Sequence, residues 1–215
     1  QPSDFTDPAV ITQGKAIFDN ASYYLVMGLK KQAVEDLSKL IALVPQSPFL
    51  IAGTIFENIT YGIDREVSID EVEEAAKRAY IYDYINGLPD KFDSLVSEGG
   101  NNLSGGQRQR LTIARAVVKK PDVLILDDSA SALDFATDAA LRKALASKVT
   151  DSTVIIVAQR ISTILHADQI LVMDEGKIVG KGTHEELMKN CEVYQQIAKS
   201  QMSAKELGID GKEEA

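Results

Sequence analysis

The chain has 215 residues, 45% of them hydrophobic and 26% charged. That is enough for one domain with a sizeable core and excludes disorder as the main state. A formal net charge of −9 disfavours generic binding to DNA or RNA, but it does not exclude a local phosphate site built from backbone amides. The single cysteine, Cys191, excludes an internal disulfide framework and a multi-cysteine zinc site, and it suits a reducing compartment with no disulfide-linked partner. Two histidines, His166 and His184, are too few for a histidine-rich metal centre.

The opening QPSDFTDPAV lacks the basic region and apolar core of a signal peptide, so none is expected. The longest uncharged run, Leu40 to Phe56, is interrupted by Pro45, Gln46, Pro48 and Gly53. It falls short of the roughly 18 to 20 apolar residues of a membrane-spanning helix. Any membrane link is therefore expected through a partner, or through part of a longer polypeptide.

Tyr24 to Leu40 reads as an amphipathic helix with Val26, Leu29, Ala33, Leu37 and Leu40 on one side. IALV, Ile41 to Val44, reads as a short buried strand ended by Pro45. SIDEVEEAAKRAY predicts a helix at about Glu71 to Tyr80, opened by a capping box of Ser68 and Glu71. Tyr80 to Phe92 predicts a shorter helix broken at Gly87 and Pro89. From near Gly105, GGQRQRLTIARAVVKK predicts a longer amphipathic helix with Leu111, Ile113, Ala114 and Val117 on its apolar side, and Pro121 ends it. VLILDD, Val123 to Asp128, has the pattern of a parallel strand buried on both faces. A helix from about Phe135 to Ala146 leads to TVIIVAQ, Thr153 to Gln159, read as a second buried strand. A short helix, ISTILHA, precedes a third strand, QILVMDEG, and then KIVGKG. Thr183 and Glu186 form another capping box at the start of the C-terminal helices, and the chain from about Gly208 reads as frayed. The alternation implies an α/β domain with a mainly parallel sheet, and the strand-poor stretch from about Thr54 to Val118 implies an inserted helical lobe. EVEEAAKR and KEEA read as solvated faces or tails, and His166, His184 and Cys191 as structural or exposed groups.

Five pieces carry chemistry. In LSGGQRQR, Ser104, Gly105 and Gly106 stand just before a helix, where backbone N–H groups and the helix dipole favour an anion. The plainer alternative is a serine cap with a loose glycine turn. Asp127 ends a hydrophobic strand, where a carboxylate can hold Mg²⁺ beside phosphates, against the alternative of a solvated strand end. The others are SALD with Asp134, Gln159 at the end of the next strand, and Gln46 just after IALVP.

Together these residues resemble the nucleotide-binding domain of ABC transporters. VPQ with Gln46 is similar to the Q-loop, and SEGGNNLSGGQ to the lead into the signature motif. VLILDDSASALD is similar to Walker B running into the D-loop, and VAQRIST to the switch region. Order and spacing agree over roughly residues 40 to 200, and TIFENITYG resembles the exporter branch. The resemblance implies a P-loop NTPase-like ABC ATPase fold. It also implies ATP and Mg²⁺ as cofactors and a head-to-tail dimer in which two domains sandwich two ATP molecules. On that pattern Ser104, Gly105, Gly106 and Gln107 would meet the partner's γ-phosphate. Asp127 would hold Mg²⁺, Gln46 would serve Mg²⁺ and the attacking water, and Asp134 would lie at the dimer seam. Partners would be a second ABC ATPase domain and the transmembrane domains of an exporter, at the cytoplasmic face of the membrane.

Three departures from the family pattern stand out. Asp128 occupies the position where the family usually has Glu to polarise water. Its side chain is shorter by one bond of about 1.5 Å, and a displacement of about 1 Å can cost on the order of a hundredfold in rate. Gln159 stands where the switch His is usual, and an amide can hydrogen-bond a phosphate but cannot carry a proton. Both changes fall on the face serving the chain's own nucleotide, while the signature is intact. This asymmetry resembles the degenerate-site subunit of heterodimeric exporters. The third departure is that no G-x-x-x-x-G-K-[ST] occurs. Gly14-Lys15, Gly176-Lys177, Gly180-Lys181 and Gly211-Lys212 all fail the pattern, and only 45 residues precede Gln46. AIFDNASYY, Ala16 to Tyr24, is only faintly similar to the family's opening strand. Without that loop's N–H cradle and Lys, weak ATP binding by the chain alone is expected. Three explanations fit: an internal deletion or fragment, an engineered or fused sequence, or a natural nucleotide-free paralogue.

The organisation expected is an atypical segment 1–40, an ABC ATPase domain 41–207 and a frayed tail 208–215. Within the domain, the lobe would span about 54–118, the sheet core about 119–190 and the C-terminal helix about 191–207. The N-terminal part of the core would be missing or replaced. The functional expectation is an exporter ATPase domain, against a non-catalytic ABC-fold fragment or interaction module. A soluble ABC ATPase without transport fits the TIFENITYG flank less well.

Overall fold

The apolar residues Ile41–Val44 form strand β1 and stop at Pro45, as their sequence requires. The computed structural model describes residues 40–129, 133–148 and 152–201. The helix expected over Tyr24 to Leu40, the opening segment and the tail lie outside those residues, apart from Leu40 itself. After β1 come β2 (Gly53–Thr54), α1 (Ile55–Thr60), α2 (Ile69–Arg78) and α3 (Tyr82–Asn86). Then follow β3 (Leu95–Val96), α4 (Gly105–Val118), β4 (Val123–Asp127), α5 (Phe135–Lys148) and β5 (Thr153–Val157). The last elements are α6 (Ile161–Ile164), β6 (Ile170–Asp174), β7 (Lys177–Gly182), α7 (His184–Asn190) and α8 (Glu192–Gln201). The described residues fall into two compact units divided between Val157 and Ala158.

In the first unit β1, β4 and β5 form a parallel sheet in that order, with Leu43 opposite Ile125 and Ile125 opposite Ile155. Parallel strands need crossovers, and here the β1-to-β4 crossover contains the whole helical lobe. Ser68 caps α2 with Glu71 in the expected box. The same Glu71 takes Arg65 Nη2 at 2.9 Å and Lys120 Nζ at 2.7 Å. Its carboxyl is held down to about 2, first by the Arg65 hydrogen bond, then by Lys120 and the Ser68 N–H. The helix expected over Tyr80 to Phe92 is cut to α3, and a separate 3-10 turn holds Lys91–Asp93. The strands of the lobe are short: β2 and β3, of two residues each, pair antiparallel with Gly53 opposite Val96.

Two sequence expectations about burial change in the first unit. Helix α4 is buried far beyond one apolar side, because it packs on α1, α2 and β1 at once. Gln109, Leu111, Thr112, Ile113, Ala114, Ala116, Val117 and Val118 are all buried. Strand β5 is not buried on both faces. Among the described residues no strand pairs with its outer edge, and Ile155 and Val157 are 47% and 48% exposed. Val154 and Ile156 reach the core from the other face.

The second unit explains why QILVMDEG does not extend the parallel sheet. Glu175 and Gly176 have φ of 45° and 75°, which gives a two-residue turn with both central residues left-handed. That turn folds β6 back on β7 as an antiparallel hairpin, with Asp174 opposite Lys177. Thr183 and Glu186 form the expected capping box on α7. Ile170, Val172, Leu187, Cys191, Tyr194 and Ala198 make a separate core, so Cys191 is packing material as expected. His184 is a structural group too, with Nδ1 2.9 Å from the buried Tyr194 hydroxyl.

Candidate functional site

β1 and β4 are neighbours in register, so the residues just past their C-terminal ends come together. Gln46 Nε2 donates to Asp128 Oδ2 at 3.0 Å, joining two positions 82 residues apart in sequence. Asp128 has a left-handed φ of 42°, a conformation that costs energy for a residue with a Cβ and is tolerated best by Asp and Asn. Its N–H donates to Val157 O at 2.9 Å, which ties the turn to the end of β5. Asp127, the last residue of β4, is half-buried beside it.

The glycine-flanked helix tip also follows from local chemistry. Ser104 is the N-cap of α4, and its Oγ accepts from Gln107 N at 3.2 Å. Gln107 Oε1 accepts from Ser104 N at 2.7 Å, completing a reciprocal box. The serine cap is therefore real, and it leaves Ser104 exposed and Gly105, Gly106 and Gln107 partly exposed. Upstream, Gly100 has a φ of 68°, and a Cβ there would lie 2.8 Å from Leu50 Cδ1. Only glycine lets this turn close against Leu50 and Arg108.

Asp134 opens α5. Its carboxylate accepts from Thr137 N at 2.9 Å and from Thr137 Oγ1 at 2.7 Å. These bonds, the backbone one first, hold its carboxyl below the usual carboxylate range. Ser131 and Ala132 of SALD lie outside the described residues. Arg110, on the second turn of α4, donates to Tyr80 O at 2.6 Å. Burial lowers its pKa, and the Asp134 charge opposes that shift.

Gln159 belongs to the second unit. It is exposed, and its carbonyl accepts from Gln201 Nε2 at 2.8 Å. Gln201 Oε1 in turn accepts from Ile161 N at 2.9 Å, so the segment after Gln159 is pinned by α8. Within the first unit, Gln46 and Asp128 come together, with Asp127 next to Asp128 in sequence, while Ser104–Gln107 form a separate helix tip. Among the described residues no group of three or more His, Cys, Asp or Glu forms a metal cage, and no helix is long and apolar enough to cross a membrane. The oxygen donors at this strand end are the Asp128 carboxylate, the Gln46 amide oxygen and the carboxylate of the preceding Asp127. Such hard oxygens suit Mg²⁺, which keeps waters and phosphate oxygens as its remaining ligands.

Sequence reading missed the supports beneath this site. Asn58 is buried to 1% exposure. Its Oδ1 accepts from Ile51 N and Arg115 Nη2, while its Nδ2 donates to Ile51 O and Thr54 O. Arg115 also donates to Phe49 O and Asn58 O, each at 2.7 Å. The available signal was a polar residue placed between Ile55 and Ile59 on a helix face that must be buried. Gln109 carried the same signal, since it lies on one face with Thr112, Ile113 and Ala116.

Comparison with known proteins agrees with the motif order. The family description "ABC transporter" matches residues 5–131. The chain is 45% identical over 167 residues to the uncharacterized ABC transporter ATP-binding protein YfiB of Bacillus subtilis, covering 78% of this chain and 29% of that protein. It is 41% identical over 191 residues to the ATP-dependent lipid A-core flippase of Photobacterium profundum, covering 89% of this chain and 32% of the flippase. Human ATP-binding cassette sub-family B member 5 is 42% identical over 190 residues, covering 88% of this chain and 15% of that protein. The chain thus spans about a third or less of these relatives. A solved bacterial Atm1-family ABC exporter with ATP bound superimposes with a TM-score of 0.72 at 39% identity, covering 76% of this chain and 29% of that one. The parallel sheet, the motifs at its strand ends and a family match over more than half of the sequence lead to one assignment: this chain belongs to the ABC transporter family, as a nucleotide-binding domain with exporter-type relatives.

Proposed function

We propose that the chain is the ATP-binding and ATP-hydrolysing domain of an ABC exporter, working in a head-to-tail dimer with a second, different ABC ATPase domain. The observation that carries the proposal is the 3.0 Å bond between Gln46 and Asp128 beside Asp127, on the unit that also bears the exposed Ser104 helix tip. Asp127 and the Gln46 oxygen would hold Mg²⁺, which supplies charge neutralisation at the phosphates when bound. Asp128 and Gln46 would orient water, and Gln159 would hydrogen-bond a phosphate oxygen without carrying a proton. Ser104, Gly105, Gly106 and Gln107 would meet the γ-phosphate held by the partner domain, with Gly105 and Gly106 offering their backbone N–H groups and Asp134 at the seam. The chain's own site would turn over slowly because of Asp128 and Gln159, and its signature would complete the faster site. Energised solute export would pass through transmembrane domains, with this chain at the cytoplasmic membrane face.

The test is ATP hydrolysis by the assembled pair. Gly106→Asp should remove most activity, and Asp128→Asn should cost little. Equal losses would refute the asymmetric assignment.

A second reading is a non-catalytic ABC-fold fragment or interaction module. It is favoured by the missing G-x-x-x-x-G-K-[ST] and by the uncovered Ile155 and Val157 on a largely apolar strand. Thermal shift of the chain with Mg-ATP separates the two. A shift of several degrees at micromolar nucleotide requires a phosphate cradle within this chain, and no shift favours the fragment.

A further inference from the structure

The amide of Gln109 is fully buried, at 0% exposure, on α4. Its Nε2 donates to Pro45 O at 3.3 Å, across 64 residues. Its Oε1 is buried with no partner among the described residues. The two ends of one side chain are thus treated very differently. A buried acceptor without a partner lowers stability, and an apolar side chain of similar volume would avoid the loss. The retained feature is therefore the donor, and the donor has one target, the carbonyl of Pro45.

That carbonyl is the oxygen of the peptide group joining Pro45 to Gln46. The group is planar, so fixing its oxygen fixes the plane from which Gln46 departs. Gln46 then reaches Asp128 Oδ2 at 3.0 Å. Gln109 lies five residues after Ser104 on the same helix, about 7 to 8 Å along its axis. A second grip on the same loop comes further along α4, where Arg115 holds Phe49 O at 2.7 Å. Helix α4 therefore carries the glycine-flanked tip at one end and holds the loop bearing Gln46 along its length.

We infer that Gln109 is a positioning residue. By holding the Pro45 carbonyl it ties the helix tipped by Ser104–Gln107 to the Gln46–Asp128 pair, so a shift of the helix moves Gln46. This deepens the ATPase reading above and rests on it for its functional meaning, but the link itself is a property of this chain alone.

The experiment uses the 215-residue chain and the side-chain amide resonances of Gln46. Gln109→Met keeps the volume and removes the N–H. It should melt within about 3 °C of the parent and move the Gln46 amide signals to solvent-like positions. Leu111→Met, a buried change on the same helix without a hydrogen bond, should leave those signals in place. A Gln109→Met protein that keeps parent-like Gln46 signals, whatever its stability, overturns the inference. Should Gln109→Met fail to fold, Gln109→Glu provides a reversible version. Its protonated acid can donate to Pro45 O, and its carboxylate cannot. Compared with the parent at each pH, Gln46 should look native in acid and free once the introduced carboxyl ionises. Gln46 signals that match the parent at every pH overturn the inference. Failure of the functional reading registers elsewhere, as absence of ATP hydrolysis by the wild-type pair.

Discussion

Gln46 and Asp128 are joined by a 3.0 Å hydrogen bond from amide to carboxylate, between a loop that follows β1 and a left-handed turn that follows β4. The carboxylate is thereby held toward the loop that follows β1. Lengthening Asp128 to Glu would extend the acid by one methylene. If the proposed asymmetric pair holds, Asp128→Glu should raise turnover at this chain's own site by up to on the order of a hundredfold. Single-turnover ATP hydrolysis with the proposed partner's own catalytic acid removed is the measurement, and an unchanged rate would mean that the length of the Asp128 side chain does not limit turnover.

The Asn58–Arg115 network is expected to matter more for stability than any surface pair. Asn58→Ala would orphan Ile51 N, Ile51 O and part of Arg115 in a buried setting. The expected cost is about 2 to 4 kcal/mol, read as a lower urea midpoint. Arg115→Lys should recover little of an Arg115→Met loss, because one ammonium cannot reproduce a fork that reaches Phe49 O and Asn58 together.

The edge strand β5, unpaired on its outer side among the described residues, makes an opposite prediction. Ile155 is about half exposed, so Ile155→Thr should cost less than about 1 kcal/mol. Leu124, at 0% exposure on the neighbouring strand, should cost about 2 to 5 kcal/mol when changed to Ala. The same Ile155→Thr change should reduce self-association, measured by light scattering, because apolar edges invite pairing. Comparable losses at both positions would mean that β5 is covered in solution.

Glu71 supplies a pH-dependent contribution. Its carboxyl is held to about 2, below its ordinary value of 4.5. A depressed carboxyl stabilises the fold above its unfolded value and loses that contribution as pH falls through the folded one. Glu71→Gln keeps a capping side chain but drops the charge for Arg65 and Lys120. The melting-temperature gap between parent and Glu71→Gln should therefore be full near neutrality and close between about pH 4.5 and pH 2. It should also shrink in high salt, because the pair is exposed. A gap that stays constant down to about pH 2 would assign the effect to the cap.

By itself, the sequence determined the local elements. Capping boxes at Ser68 and Thr183 and the stop at Pro45 need only a few neighbouring residues, so they are readable in one dimension. The ordered motifs, from Gln46 through Ser104 and Asp127 to Gln159, also identified the family, because their spacing is covalent. Tertiary structure decided whatever depends on what packs where. The apolar run of β5 reads as a buried strand, yet it lies at an edge among the described residues with Ile155 and Val157 about half exposed, because burial is a property of neighbours. QILVMDEG reads as another parallel strand, yet the turn at Glu175 and Gly176 folds it into a hairpin. Gln46 and Asp128 meet only because β1 and β4 are adjacent. Helical spacing places Gln109 on a buried face, but its bond to the Pro45 carbonyl, far away in sequence, is encoded by no local periodicity.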